Sequence, residues 1–148
     1  MATNENIIIA KEMLDFVNAW DKKPMKIELE ELNKRTSSMM IQPLAGIKKV
    51  KTYINGSYLG MWSFAVYYRI SKSDTNGKIT ARKALEDIDI WFNQKDENGT
   101  LKNLPKMGNG NTAISIDMTS TPSIAEAYDD GTADYQAVFS LNYKHKEE

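Results

Sequence analysis

Strict alternation of side-chain character over residues 135–143 is the sequence feature that most constrains the fold. Apolar residues stand at every second position: Tyr135, Ala137, Phe139, Leu141 and Tyr143. Because successive side chains of a strand point to opposite faces of a sheet, this pattern predicts an antiparallel strand with one face buried. We therefore expect a sheet at the centre of the fold, with the apolar face of this last strand in the core.

A second strong signal is the Asn55-Gly56 pair between two segments of strand character. Lys48–Ile54 precedes the pair and Ser57–Ile70 follows it. Asn-Gly suits the two central positions of a type I′ turn, where both residues need positive φ. The sequence therefore predicts a β-hairpin with a two-residue turn. Gly60, in the outgoing strand, is typical of a bulge or of a close approach by another group.

Two further stretches have apolar residues at helical spacing. The first runs from about Asn4 to Trp20, and the second from about Lys78 to Gln94. Apolar residues three and four positions apart form one stripe in each, so both stretches predict helices that bury one face. Thr3 or Asn4 is suited to cap the first helix, because a short polar side chain can accept hydrogen bonds from unpaired first-turn amides.

The remaining segments predict further strands and their connections. Strands are expected at Lys26–Leu32, at Met39–Gln42 and around Ile114–Met118, where Ile114, Ile116 and Met118 share one face. Lys95–Asn111 reads as a surface loop, and Thr119–Asp134 reads as the connection between the last two strands. The order of elements predicts a single α+β domain over residues 1–148, with an antiparallel or mixed sheet and two helices packed on one face. Such a sheet keeps its other face free for neighbours.

Residues that carry chemistry are scarce. The chain has no cysteine and one histidine, His145, close to its end. Most hydrolytic triads and zinc sites need more than this, so we expect neither a catalytic nor a metal site and no cofactor. The carboxylates at Glu28/Glu30/Glu31, Asp87/Asp89 and Asp129/Asp130 fit solvated faces or turns better than a paired acid–base site. Gly108-Asn109-Gly110 lacks the pattern of a phosphate-binding loop. We expect a protein that is not an enzyme.

The net charge and the hydropathy pattern limit the classes of partner that we expect for this chain. The formal net charge is −1, from 19 basic and 20 acidic residues, so no long-range field favours nucleic acid or an anionic membrane. No apolar run approaches the roughly 18 residues of a membrane span, and the N-terminus lacks a secretory pattern. The sequence favours a protein made in a cytoplasm and kept there, or assembled there into something larger.

Two groups of residues are candidates for contacts. Lys48, Lys49 and Lys51, near Tyr53 and Tyr58, form the best candidate for nucleic-acid binding. The alternative for these lysines is an edge strand protected from unwanted pairing. Met39, Met40, Ile41 and Trp62 are apolar residues outside the helical stripes. They either fill the core or form a contact surface, to which Met and Trp are well suited.

Several segments resemble a known family. They are Gln42–Gly46, Tyr53–Tyr58, Phe64–Arg69, Ala127–Gly131 and Asp134–Tyr143. In these segments and in its order of elements the chain resembles small structural proteins of long-tailed bacteriophages of Gram-positive bacteria, usually labelled minor capsid or tail terminator proteins. The matching segments are strands and turns, and the loop Lys95–Asn111 carries no family pattern.

The resemblance implies a mechanical role in the virion. Tail terminators form a ring, usually a homohexamer, which caps the tail tube and offers a surface to the head-completion or connector protein. DNA passes through the lumen of that ring, which would bring Lys48, Lys49 and Lys51 near DNA. On this reading the polar face of the last strand, with Gln136, Ser140 and Asn142, is a candidate contact with a neighbouring subunit.

Two other functions remain open at this stage. A head-completion or connector (neck) protein would form a larger ring, often of twelve subunits. A nucleic-acid-binding accessory protein would use Lys48, Lys49 and Lys51, and its affinity would fall steeply with salt. The expected location of the tail terminator is the tail or neck of the virion, after assembly in the host cytoplasm.

Overall fold

The computed structural model describes residues 2–30, 32, 37–44, 46–71 and 74–147. These residues form two helices and a six-stranded mixed sheet, so the predicted α+β class is confirmed. The helices are α1 (Ala2–Asn18) and α2 (Thr75–Phe92). The strands are β1 (Ile27–Leu29), β2 (Ser38–Pro43), β3 (Lys48–Thr52), β4 (Tyr58–Ile70), β5 (Asn111–Ala127) and β6 (Ala133–His145).

The sheet is built around one long strand pair, β4 and β6. These strands run antiparallel from Tyr58 opposite His145 to Ile70 opposite Ala133. The strand order is β1-β2-β4-β6-β5, and only β1 and β2 are parallel. On its other edge β4 pairs first with β3 and then with β2, so these two strands follow one another along the same side of β4.

Aromatic contacts show which face of the sheet the helices cover. The Phe92 ring of α2 meets Phe64 of β4 and Phe139 of β6 edge-on, with ring centroids 6.3 Å and 5.2 Å apart. Phe16 of α1 stacks against the same Phe92 at 5.9 Å. Both helices therefore pack on one face, as predicted, and the apolar residues of β6 from Tyr135 to Tyr143 are buried beneath them.

The ends of the helices differ from the prediction. The helix α1 already includes Ala2, so Thr3 and Asn4 lie inside it and the predicted cap is wrong. The helix α2 begins at Thr75, where the Asp74 carboxylate accepts a 2.8 Å hydrogen bond from the Gly77 N–H. Asp74 is a better cap than any residue nearer Lys78, because its oxygen satisfies a first-turn amide that has no partner within the helix.

Two strand predictions need larger corrections. The strand predicted at Lys26–Leu32 is only three residues long, because Glu30 takes a positive φ of 56° that ends it, and Glu31 lies outside the described residues. The predicted connection Thr119–Asp134 is wrong, because β5 continues to Ala127. Its register against β6 shifts at several points, which breaks the period-two pattern. Ile114 falls at one such shift and is 46% exposed, away from the face of Ile116.

The predicted hairpin is present, but its turn is of another kind. The Tyr53 carbonyl accepts a 3.0 Å hydrogen bond from the Gly56 N–H, and the Tyr53 N–H donates to the Ser57 carbonyl at 2.8 Å. Gly56 has a φ of 92°, whereas Asn55 has a negative φ. A type I′ turn needs positive φ at both residues. The loop is therefore a three-residue one, in which the last residue, a glycine, has positive φ.

Candidate interaction surface on the helix-free face of the sheet

Most of the apolar contact candidates turn out to be core residues. Met39, Ile41 and Trp62 are completely buried, on the face that the helices cover. The Trp62 indole N–H also donates a 2.5 Å hydrogen bond to the Asn6 side chain of α1. Their proposed role as contact residues is therefore wrong, because alternation points them inward. Met40, between two of them, is half-buried on the opposite face and stays a candidate.

The opposite face, here called the helix-free face, is assembled from cross-strand rows. Residues directly opposite one another in neighbouring strands share a face. From one end of the sheet to the other, the rows are Arg69-Asp134, Met40-Tyr67-Gln136, Gln42-Ala65-Val138, Ser63-Ser140-Asp117, Lys48-Met61-Asn142 and Lys51-Leu59-Lys144. The sequence candidates Gln136, Ser140 and Asn142 all lie on this face, together with residues of four other strands.

The residues at the centre of the helix-free face have small side chains that are shielded from water, although no described helix covers them. Ala65 is 0% exposed and Ser140 is 4% exposed. The Ser140 hydroxyl has no hydrogen-bond partner among the described residues. A buried hydroxyl without a partner is unfavourable, and native proteins seldom leave one so. The described residues therefore leave one polar group unsatisfied at the centre of this face.

One end of this face carries a neutralised charge pair. The Arg69 guanidinium donates to both Asp134 oxygens, at 2.6 Å and 2.8 Å, and the Tyr128 hydroxyl donates to Asp134 at 2.8 Å. The hydrogen bond to Asp134 raises the pKa of Arg69, and the same carboxylate raises the pKa of Tyr128. Because the pair is bidentate and largely buried, this end of the face presents little free charge.

The other end, at the β3–β4 hairpin, is basic. We call Lys48, Lys51, Lys144 and Lys146 the basic corner. The first three belong to rows of the helix-free face, and Lys146 lines the same hollow of about 650 Å³ as Lys144 and Tyr53. Lys49 lies opposite Gly60 on the other face, with its ammonium 4.7 Å from the centre of the Tyr58 ring. The three lysines of the sequence prediction are therefore divided between two faces.

The strand edges complete the surface available to neighbours. Within the described part of the chain, β5 pairs only with β6 and β3 pairs only with β4. Each leaves a row of backbone N–H and C=O groups along its outer side, which another strand can pair with. The two edges differ in length and side chains, so a contact that joins one to the other is heterologous.

A groove lies on the helical side, between α1 and the segment that follows α2. Its volume is about 670 Å³. Phe16 and Trp91 line it and stack with ring centroids 4.7 Å apart, and Glu12 accepts a 2.6 Å hydrogen bond from the Gly108 N–H. The groove is amphipathic, because carboxylates of α1 and Lys102 and Lys106 all line it.

The structure adds residues that the sequence did not indicate. Only the cross-strand register places four further residues on this surface: Ala65, Val138, Lys144 and Lys146. In the described residues, no cluster of three or more His, Asp or Glu side chains is arranged to hold a metal ion. No described helix is long and apolar enough to cross a membrane. No family model matches the chain, and no curated protein matches it.

Proposed function

We propose that the chain is a structural protein of a phage virion, a tail terminator that assembles into a ring, caps the tail tube and forms the surface at which head and tail join. The observation that carries this proposal is the helix-free face. Its centre is weakly charged and partly apolar, and it already excludes water around Ala65 and Ser140. A face of this kind suits a permanent protein contact better than a catalytic site, which needs polar groups converging in a cleft.

The partner that best fits this face is a second copy of the chain. The sheet is open, and its two edges, β1 and β3 on one side and β5 on the other, are unlike each other. Contacts between unlike surfaces repeat from one subunit to the next and close into a ring when the rotation allows. The family resemblance supplies the number, six, and the other partners, the tail-tube protein and the head-completion or connector protein. The place of such a ring is the tail or neck of the virion, after assembly in the host cytoplasm.

A charge at the centre of the face tests this proposal. Val138 lies opposite Ala65 and is only half-buried, so Val138→Glu can stay hydrated in the monomer. In a subunit contact the same carboxylate would lose water without gaining a partner, which costs several kcal/mol. We expect the variant to fold with an unchanged circular dichroism spectrum but to form no rings. Ile90→Glu, on the exposed side of α2, is the matched control and should assemble normally.

Ring formation is measured by native mass spectrometry and by electron microscopy, with and without tail tubes. Hexamers of the wild type and of Ile90→Glu, with monomers of Val138→Glu, support the proposal. Rings formed equally well by Val138→Glu would show that this face is exposed to solvent and makes no subunit contact. Rings of twelve would favour the connector function instead. A phage that lacks the protein but still makes tails of uniform length joined to heads would overturn the terminator function.

A further inference from the structure

We propose that the basic corner binds the phosphate backbone of nucleic acid without reading its sequence. The corner consists of Lys48, Lys51, Lys144 and Lys146, and it is drawn from two parts of the chain, β3 and the end of β6, that only the fold brings together. The proposal goes beyond ring assembly and does not depend on it. The lysines are present in every copy of the chain, and their binding can be measured whether the protein is a monomer or a ring.

An irregularity in β3 places two of these lysines on one face. Lys49 lies opposite Gly60 and Lys51 lies opposite Leu59, so Val50 is an extra residue in the ladder. Without it, alternation would put Lys51 on the face of Lys49. A bulge re-aims the side chains that follow it, and such bulges are found where a strand performs a function. Here the bulge turns Lys51 toward the helix-free face, on which Lys48 already lies.

The β4 strand then carries the array across to β6. Leu59 stands between Lys51 and Lys144 in the same row. Neighbouring strands lie about 4.8 Å apart, so the backbones of these two lysines are separated by roughly 10 Å. Both ammonium groups converge on the ring of Tyr53, at 5.2 Å and 5.9 Å from its centre. The aromatic ring holds the two charges on one side of the hairpin.

The positive charge of the corner is largely uncompensated. None of its four lysines forms an ion pair with a described residue. Two carboxylates of β5 and of the segment after β6 contact other side chains: Asp117 accepts a 2.9 Å hydrogen bond from Asn142, and Glu147 lies 3.1 Å from the His145 ring nitrogen. The net charge of the whole chain, −1, conceals this local excess.

The arrangement favours a phosphate backbone over other anionic partners. Lysines act as point charges that contact phosphates one at a time, and a regular polyanion meets several of them at once. The planar fork of arginine, which pairs with a single carboxylate or phosphate in a fixed geometry, is absent from the corner, so its four point charges suit a repeating backbone. Ile54 projects fully exposed from the hairpin. One apolar side chain buries too little area to hold the chain on a membrane.

The experiment uses a fluorescent DNA duplex of mixed sequence and measures its binding by anisotropy at increasing salt concentration. We expect the logarithm of the binding constant to fall linearly with the logarithm of salt, by about 0.9 for each phosphate contact. The variant Lys51→Gln/Lys144→Gln should bind more weakly, with its slope reduced by about 1.8. The control Lys11→Gln/Lys78→Gln has the same net charge but changes exposed lysines of the two helices, and it should bind like the wild type.

Four results would overturn the proposal. The first is no binding by the wild type at low salt. The second is an equal loss of affinity in both double variants, which would show a response to overall charge. The third is competition by polyglutamate as effective as that by unlabelled DNA, which would point to an acidic protein. The fourth is equally effective competition by phosphatidylserine vesicles, which would point to a membrane. Ring assembly of both variants, followed by native mass spectrometry, separates a failure here from a failure of the assembly proposal.

Discussion

Gly60 shows how one residue can be fixed by its neighbour across the sheet. It lies opposite Tyr143, whose ring crosses directly above it. A Cβ atom added to Gly60 would lie 2.4 Å from the tyrosine Cζ and 2.7 Å from its hydroxyl oxygen. The φ of Gly60 is one that any residue can adopt, so the constraint is space rather than backbone conformation. Of the two roles that the sequence allowed, bulge or close approach, the structure selects the second.

At this position Gly60→Ala should lower the free energy of unfolding by about 1–3 kcal/mol, the usual cost of overpacking a core. Urea denaturation measures the loss. Gly46→Ala is the control, because a Cβ there meets nothing within 4 Å. Combining Gly60→Ala with Tyr143→Leu should cost less than the sum of the two single changes. A Gly60→Ala protein as stable as the wild type would show that the tyrosine moves aside freely.

Residues such as Met39, Ile41 and Trp62 also show where sequence reasoning stops. The sequence shows that these side chains are apolar, but an apolar side chain is equally compatible with the core and with a contact surface. The helix-free face is itself partly apolar, with Met61, Ala65 and Tyr67 on it. When both faces of a strand carry apolar residues, composition does not say which one the helices cover. Only packing against α1 and α2 decides that.

Among the elements, three turns share one design. Residues 53–57, 96–100 and 128–132 each close with the same two backbone hydrogen bonds, around a glycine at positive φ. In each, an Asn or Asp oxygen accepts a hydrogen bond from the N–H of the Ser or Thr that follows the glycine. The sequences are Asn-Gly-Ser, Asn-Gly-Thr and Asp-Gly-Thr. This repeated pattern was visible in the sequence and predicts the turn better than the Asn-Gly pair alone.

The last of these turns, residues 128–132, joins β5 to β6, and these two long strands pair with each other. Gly131 has a φ of 91°, and a Cβ there meets nothing within 4 Å, so the strain of Gly131→Ala is purely conformational. We expect a loss of about 1–2 kcal/mol in the free energy of unfolding, by thermal or urea denaturation. Gly99→Ala is the matched control, with a φ of 79° and the same open surroundings. Its turn closes only one isolated bridge, so local rearrangement should relieve its strain and make the loss smaller. Equal losses would contradict this account.

The regularity of each helix and strand explains how much of the candidate site could be predicted from the sequence. The helices, the central hairpin and the last strand follow from regular periods in the sequence, and all were found. The bulges of β3 and β5 interrupt those periods without a residue type that announces them. For that reason Lys49 was grouped with Lys48 and Lys51, and Lys144 and Lys146 were missed. The basic corner depends on cross-strand register, which is a long-range property.

In the molecule as a whole, three core tyrosines determine how the fold responds to alkali. Tyr58, Tyr68 and Tyr143 are buried on the helical side of the sheet. Burial raises the pKa of each hydroxyl above its ordinary value, and for Tyr58 the hydrogen bond to Glu5 raises it further. The physical reason is that the charged phenolate would lose its hydration inside the core. The folded chain therefore keeps these protons at a pH at which the unfolded chain releases them.

The sign of the effect on stability follows directly. Below the unfolded pKa of about 10, both states hold the three protons and stability does not depend on them. Above it, only the unfolded state loses protons, so the free energy of unfolding should fall by about 1.4 kcal/mol per pH unit for each buried tyrosine. Urea denaturation at increasing alkaline pH measures this slope. Tyr68→Phe removes one titrating group whose shift comes from burial alone, and should make the slope shallower by one such step. Phenolate absorbance that rises for all three tyrosines while the circular dichroism stays native would contradict the argument, because the charges would then have reached water without unfolding.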